Sequence, residues 1–326
     1  PGPGTSGASP PMRSWLRDRP VVLTEAAIVE RLRRAPGPPR LDPTLVHAAL
    51  VGSGDGREAL RALYDEYLDV AERARLPVLL FTPSWRANRE RVLASDADPS
   101  VNEDGAAFIA DVLGRRPWAA DDARLGGLLG CRGDCYRPDE GLAADAARSF
   151  HAWQAERLAA SGVDFLMAAT MPAVPEAIGM AHALADTGLP FAISFVVDRR
   201  GRVLDGTPLA QACDRVDDAC PRRPFGFLVN CAHPSFLDPV LREGGRPERW
   251  IGLQANASSL DHDRLDAATD LQIDDVDDWA TRMASLHRDH GLRILGGCCG
   301  TGREHLEGIV RRLLGNAGEA DDTTVR

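Results

Sequence analysis

The sequence predicts a single-domain α/β fold, a (β/α)8 TIM barrel. Eight short apolar runs alternate with amphipathic stretches along 326 residues, a normal length for one such barrel. Strands alternating with helices imply parallel pairing and right-handed crossovers. The glycine-rich turn of an open dinucleotide-binding sheet is missing after the first run, which continues into Glu25-Ala26-Ala27.

The strands read in order as Val21 to Thr24, Pro77 to Pro83, Arg124 to Cys131, Asp164 to Thr170, Pro190 to Val197, Phe225 to Ala232, Trp250 to Asn256 and Leu292 to Cys298. Each is rich in Val, Ile, Leu or Phe, as strands covered on both faces require. Helices are expected over Ala144 to Ser161, with Phe150, Trp153 and Leu158 on its apolar face, over Ala173 to Leu189 and over Val276 to His290. Thr301 followed by Glu304 reads as a capping box before a last helix, His305 to Leu314. Residues 35–74 read as an insertion, helical from Gly56. The barrel is placed at 21–315, between a disordered leader over 1–20, within which Met12 offers a native start, and a polar, disordered tail over 316–326.

Hydrophobic residues make up 44% and charged residues 26%, a balance that buries a large core. The net charge of −10 argues against nucleic acid or an anionic membrane surface, both of which need a basic face. Neither a transmembrane run nor the apolar centre of a secretory signal is present, so a cytoplasmic protein is expected. The sequence contains no lysine, which excludes Schiff-base chemistry. Seven cysteines in such a chain do not suggest a disulfide framework. Cys131 and Cys213 read as core, and Cys135 and Cys220 are scattered.

Cys231, Cys298 and Cys299 form the pattern that carries chemistry. Cys231 closes the sixth strand in Val229-Asn230-Cys231, and the vicinal pair closes the eighth in Gly296-Gly297-Cys298-Cys299-Gly300-Thr301. In a parallel barrel those ends face the mouth where active sites are built. Three converging thiolates suit Zn²⁺ and leave a fourth position open, the mark of a catalytic site. A buried free cysteine is more often core, and a glycine-rich turn after the eighth strand also suits a phosphate. The spacing leaves these readings open.

The GGCCGT stretch at 296–301, with VNC at 229–231, resembles the homocysteine S-methyltransferase family, which includes betaine- and cobalamin-dependent methionine-forming enzymes. The resemblance runs from about Val21 to Leu314. It implies zinc on Cys231, Cys298 and Cys299, acting as the catalytic cysteines, and transfer of a methyl group from a small activated donor to a thiol such as homocysteine. A free thiol has a pKa near about 8.5, and coordination deprotonates it. The expected partners are thus a small thiol and a small methyl donor, with the oligomeric state left open.

Two positions depart from the family pattern. Family members open with D-G-G after the first strand, and this chain has Glu25-Ala26-Ala27. They carry Glu-Thr after the fourth strand, and this chain has Ala169-Thr170, one carboxylate fewer for a substrate amine. Glu25, Thr82, Trp85 and Asn256 are the candidate substrate contacts. Trp85 is suited to stack on a cationic donor or to cap the core, and Asn256 to line the mouth or cap a helix. His233 reads as a fourth ligand or a solvated loop residue. Arg86, Arg89 and Arg91 read as a solvated face. Three functions are weighed: thiol S-methylation, on homocysteine or a different thiol; a metal-free phosphate-binding barrel enzyme; and a zinc-holding binding or regulatory protein.

Overall fold

The fold is a closed barrel of eight parallel strands in sequential order, sealed by the pairing of β8 with β1. It is seen in a computed structural model that describes residues 12–242, 249–261 and 271–315. The strands are β1 (Val22–Thr24), β2 (Val78–Phe81), β3 (Ala123–Gly130), β4 (Phe165–Met171), β5 (Phe191–Phe195), β6 (Gly226–Ala232), β7 (Trp250–Ala255) and β8 (Ile294–Gly297). All eight predicted runs are strands, and their ends differ from the expected ones by at most two residues.

Side-chain alternation separates two cores. Leu80, Leu166, Ile193, Val229 and Leu295 point outward to the helical ring. Leu79, Phe81, Phe165, Met167, Leu228 and Ile294 point inward, as the two-residue period of a strand demands. Inside, Phe165 meets Phe81 and Phe225 edge-on, with centroids 5.8 and 5.7 Å apart.

Four expectations need correction. The predicted leader is ordered from Met12 on: helix Met12–Arg17 buries Met12, Trp15 and Leu16 in the inner core. The Trp15 indole donates to Asp121 O at 3.0 Å. The amphipathic MRSWLR is short, and the Pro- and Gly-rich residues before it masked it. Residues 1–11 and the predicted tail at 316–326 lie outside the described residues. The predicted insertion contains the barrel's own first helix, Gly54–Ala74, which buries Leu60, Tyr64, Tyr67 and Leu68. The stretch 29–53 lies between β1 and that helix.

The helix Ala144–Ala160 buries Ala147, His151, Gln154, Ala155 and Leu158, while Phe150 and Trp153 are half-buried. Its inner face is polar because Gln154 donates to Ser84 O at 2.7 Å and His151 meets Glu176 at 3.0 Å. The last helix begins at Arg303, and Thr301 does not cap it. Thr301 donates to Cys298 O at 2.6 Å, and His305 Nδ1 accepts the Gly302 N–H at 3.1 Å.

Candidate metal centre

β6 and β8 flank β7, and the end of β7 ties their tips together. Cys298 N donates to Ala255 O at 2.7 Å, Ala257 N to Cys299 O at 2.9 Å, and the Asn256 amide to Cys231 O at 3.1 Å. Cys231 turns out of the strand at a left-handed φ of 55°, which re-aims its side chain. Of the glycines around the vicinal pair, Gly300 has a left-handed φ of 79°. Gly296 and Gly297 are required for space: a Cβ there would overlap Thr24 Oγ1 or Thr301 Oγ1.

This backbone brings the three cysteines together. Cys231 Sγ lies 2.8 Å from Cys298 Sγ, and all three sulfurs lie within 4.8 Å of one another. Cys231 is buried, Cys298 half-buried and Cys299 exposed. The set fits a soft tetrahedral ion: three thiol donors on one point, with Cys299 facing open space. Hydrogen bonds to Cys298 and Cys299, then burial, push the Cys231 thiol well above its ordinary range. Cys298 also rises; its bond with Cys231 lowers it, but Cys299 and burial outweigh that. A cation bound at this point would favour their thiolate forms.

The three cysteines line a cavity of about 670 Å³. Glu25, Trp85 and Asn256 line it. Glu25 is buried and accepts the Phe81 N–H at 2.9 Å; burial, against that bond, raises its pKa to about 8. Trp85 donates to Thr170 Oγ1 at 2.9 Å, and Arg86 stands 4.1 Å over its ring, so one stacking site is already filled from within. Asn256 Oδ1 is buried without a hydrogen-bond partner.

Thr82 does not line the cavity. It sits in the barrel wall, 2.6 Å from Ser84 Oγ, and accepts the Leu128 N–H. His233 lies outside the sulfur group, its Nδ1 2.8 Å from Ser235 Oγ, with burial lowering its pKa to about 4. Arg86 is not solvated: it is buried and donates to Cys131 O and Gly133 O. It reads as surface only if a helix starts there, and the helix starts at Arg89. Arg89 is exposed, and Arg91 donates to Thr44 O at 2.9 Å.

Several residues at the mouth escaped the sequence. Asn230 accepts from Thr170 N at 3.0 Å and Ser194 Oγ at 2.6 Å, and donates to Cys231 Sγ at 3.4 Å. It thereby holds Thr170, a β-branched residue at a φ of 57°. Its position just before Cys231 was the available signal. Cys135 and Tyr136 reach the cavity from the loop after β3, and Arg33 and His47 from the stretch 29–53. Burial first, then the neighbouring Cys231 and Cys299, hold the Tyr136 phenol well above its ordinary pKa. These loop residues carry no periodic signal.

The family model described as homocysteine S-methyltransferase matches residues 22–313. The chain belongs to this family. A relative from Arabidopsis thaliana, homocysteine S-methyltransferase 2, is 24% identical over 201 residues, 60% of this chain and 56% of that protein. Homocysteine S-methyltransferase YbgG of Bacillus subtilis (strain 168) is 24% identical over 185 residues, 55% of this chain and 56% of its own. The chain thus spans little more than half the length of these curated relatives. The metallated form of the homocysteine methyltransferase MmuM from Escherichia coli has the same fold, with a TM-score of 0.69 at 19% identity over 93% of this chain and all of that one. Ala26, Ala27 and Ala169 stand in the same cavity lining as the cysteine trio, with Ala26 beside Gly297 at the tip of β8.

Proposed function

We propose that the chain is a zinc-dependent thiol S-methyltransferase that moves a methyl group from a small activated donor to homocysteine or a related thiol. The observation that carries this is the convergence of three sulfurs within 4.8 Å in the lining of an open cavity. Cys231, Cys298 and Cys299 would hold the ion, which when bound supplies the Lewis acidity that keeps a substrate sulfur as thiolate at neutral pH. The chain's part is placement. About 670 Å³ accommodates acceptor and donor together, so a bimolecular displacement proceeds between oriented neighbours. Asn230 directs an amide N–H at Cys231 Sγ and restrains that ligand. Glu25 offers a buried carboxyl at the cavity wall, largely protonated near neutrality until a cationic group draws its proton off. No helix among the described residues is long and apolar enough to cross a membrane. We place the reaction in the cytoplasm, where thiols stay reduced.

The metal-free phosphate reading loses support from Glu30, whose carboxylate already accepts the Gly300 N–H of the β8 turn. A thiol other than homocysteine is favoured by Ala169, which leaves apolar lining where the family pattern has a carboxylate.

Metal analysis and a substrate panel test the proposal. Near-stoichiometric zinc that disappears in Cys298→Ala, with thioether formed from homocysteine or another thiol and S-methylmethionine, S-adenosylmethionine or betaine, is expected. Zinc-free protein would overturn the proposal. Zinc with no turnover by any pair would favour a binding role.

A further inference from the structure

The loop between β3 and the helix Ala144–Ala160 is irregular, yet one side chain fixes both of its ends. Glu176, in the first turn of the helix Val174–Asp186, is fully buried, and the methyl-transfer reading gives it no part. Its Oε1 accepts the Arg132 N–H at 2.7 Å, and its Oε2 accepts the Leu142 N–H at 3.3 Å. His151 Nε2 donates to Oε1 at 3.0 Å. Burial pushes this carboxyl up, but the bonds from His151, Arg132 N and Leu142 N outweigh it and hold its pKa below the ordinary value. A buried charge is costly, and an apolar side chain would fill the same helix face at less cost. An apolar side chain could not, however, match the N–H groups of Arg132 and Leu142 together.

The segment closed in this way, 131–142, is a compact Ω-loop whose ends meet on one carboxylate and whose body is tied by its own groups. Asp134 Oδ1 accepts the Tyr136 N–H at 2.9 Å, and Glu140 Oε2 accepts the Asp134 N–H at 3.0 Å. Arg86 adds a second clamp through Cys131 O and Gly133 O. Cys131 and Cys135 are the buried residues of the loop. Cys135 and Tyr136 enter the lining of the cavity that the cysteine trio also lines. Burial raises the Cys135 thiol first, and Cys299 is among the groups close enough to raise it further.

We propose that Glu176 is a positioning residue: by stapling both ends of the loop 131–142, it sets Cys135 and Tyr136 beside the metal centre, where they shape the seat of the acceptor thiol. The last clause rests on the methyl-transfer reading, and the staple itself does not. Glu176 touches no reactant and acts through Arg132 N and Leu142 N. Glutamine in its place keeps the size but offers one acceptor oxygen and an NH₂ group, so one donor loses its partner. One loop end is then released, and Cys135, buried while the loop is docked, meets solvent.

The test compares the zinc-loaded full chain with Glu176→Gln and with Leu142→Pro. Leu142→Pro deletes one of the two N–H groups and leaves the carboxylate in place. Gly141 ahead of it already has the extended backbone that a following proline requires, with φ −64° and ψ 139°. The first readout is the rate of alkylation by iodoacetamide at Cys135 relative to Cys213, resolved by peptide mass mapping. Cys213 is buried on the helix Leu209–Ala219, outside the loop, so global opening exposes both alike. Glu176→Gln should raise the ratio about tenfold, and Leu142→Pro should raise it by a smaller factor. The second readout is kinetic: both variants should raise the acceptor KM and leave kcat within about twofold, because the loop binds and does no chemistry. A residue that only supports its own helix would lower kcat through loss of folded enzyme and leave KM alone. An unchanged alkylation ratio, or an unchanged acceptor KM, would overturn the proposal. If Glu176→Gln does not fold, Leu142→Pro decides by the same two readouts. The ratio needs no turnover, so a raised ratio upholds the staple even where every donor fails and the methyl-transfer reading falls.

Discussion

On the β6–β8 side of the mouth, backbone hydrogen bonds from the end of β7 fix the cysteine tips, and every element serves one geometric point. On the side of β1, β2 and β4, one carboxyl is buried and raised, a tryptophan is already stacked on Arg86, and an imidazole stands without a partner. The first side lacks a cation and a partner for Asn256 Oδ1. The second lacks a partner for His47 Nδ1. On the proposed function, chemistry and recognition fall to different parts of one cavity lining, and substitutions should separate them.

The largest effect should come from the sulfur trio. Cys298→Ala should reduce bound metal from roughly one ion per chain to none and abolish methyl transfer, read by metal analysis and thioether formation. Asn230→Ala should be next. It strips the acceptor from Thr170 N and Ser194 Oγ and the donor from Cys231 Sγ, costing about 2–3 kcal/mol in denaturant unfolding and about tenfold in metal affinity.

Glu25 tests the recognition part of the lining through pH. Its folded pKa, about 8, lies above its ordinary 4.5, so the folded state holds the proton more tightly. The stability tied to that proton is fully present below about 4.5 and is lost as pH rises through about 8, at up to about 1.4 kcal/mol per pH unit. Glu25→Gln should flatten that slope in unfolding measured from pH 5 to 9; an unchanged slope would break the assignment. The smallest effect should be that of Thr82→Val. It removes a hydroxyl from the barrel wall, costs about 1 kcal/mol in unfolding, and leaves substrate KM unchanged.

The strands were legible because a parallel strand is apolar on both faces, and no neighbouring context is needed to see that. The convergence of the cysteine trio was legible because barrel topology brings strand ends six and eight to one rim; its reading as a zinc site came from the family resemblance. The lining from the stretch 29–53 was not legible, because His47 and Arg33 reach the cavity through a turn whose shape depends on Asp42 and Val46. Thr82 misled for the opposite reason. A polar residue at a strand end reads as mouth, yet its hydroxyl is spent within the wall. Arg86 and Trp15 show the same limit: a charge run reads as surface, and a tryptophan in a Pro-rich leader as unstructured, until tertiary packing buries them.

Helix Met12–Arg17 fills the lower end of the cylinder with Met12, Trp15 and Leu16. Among the described residues the cylinder is thus plugged from beneath, and the exposed Cys299 is open to approach from the rim at the C-terminal ends of the strands.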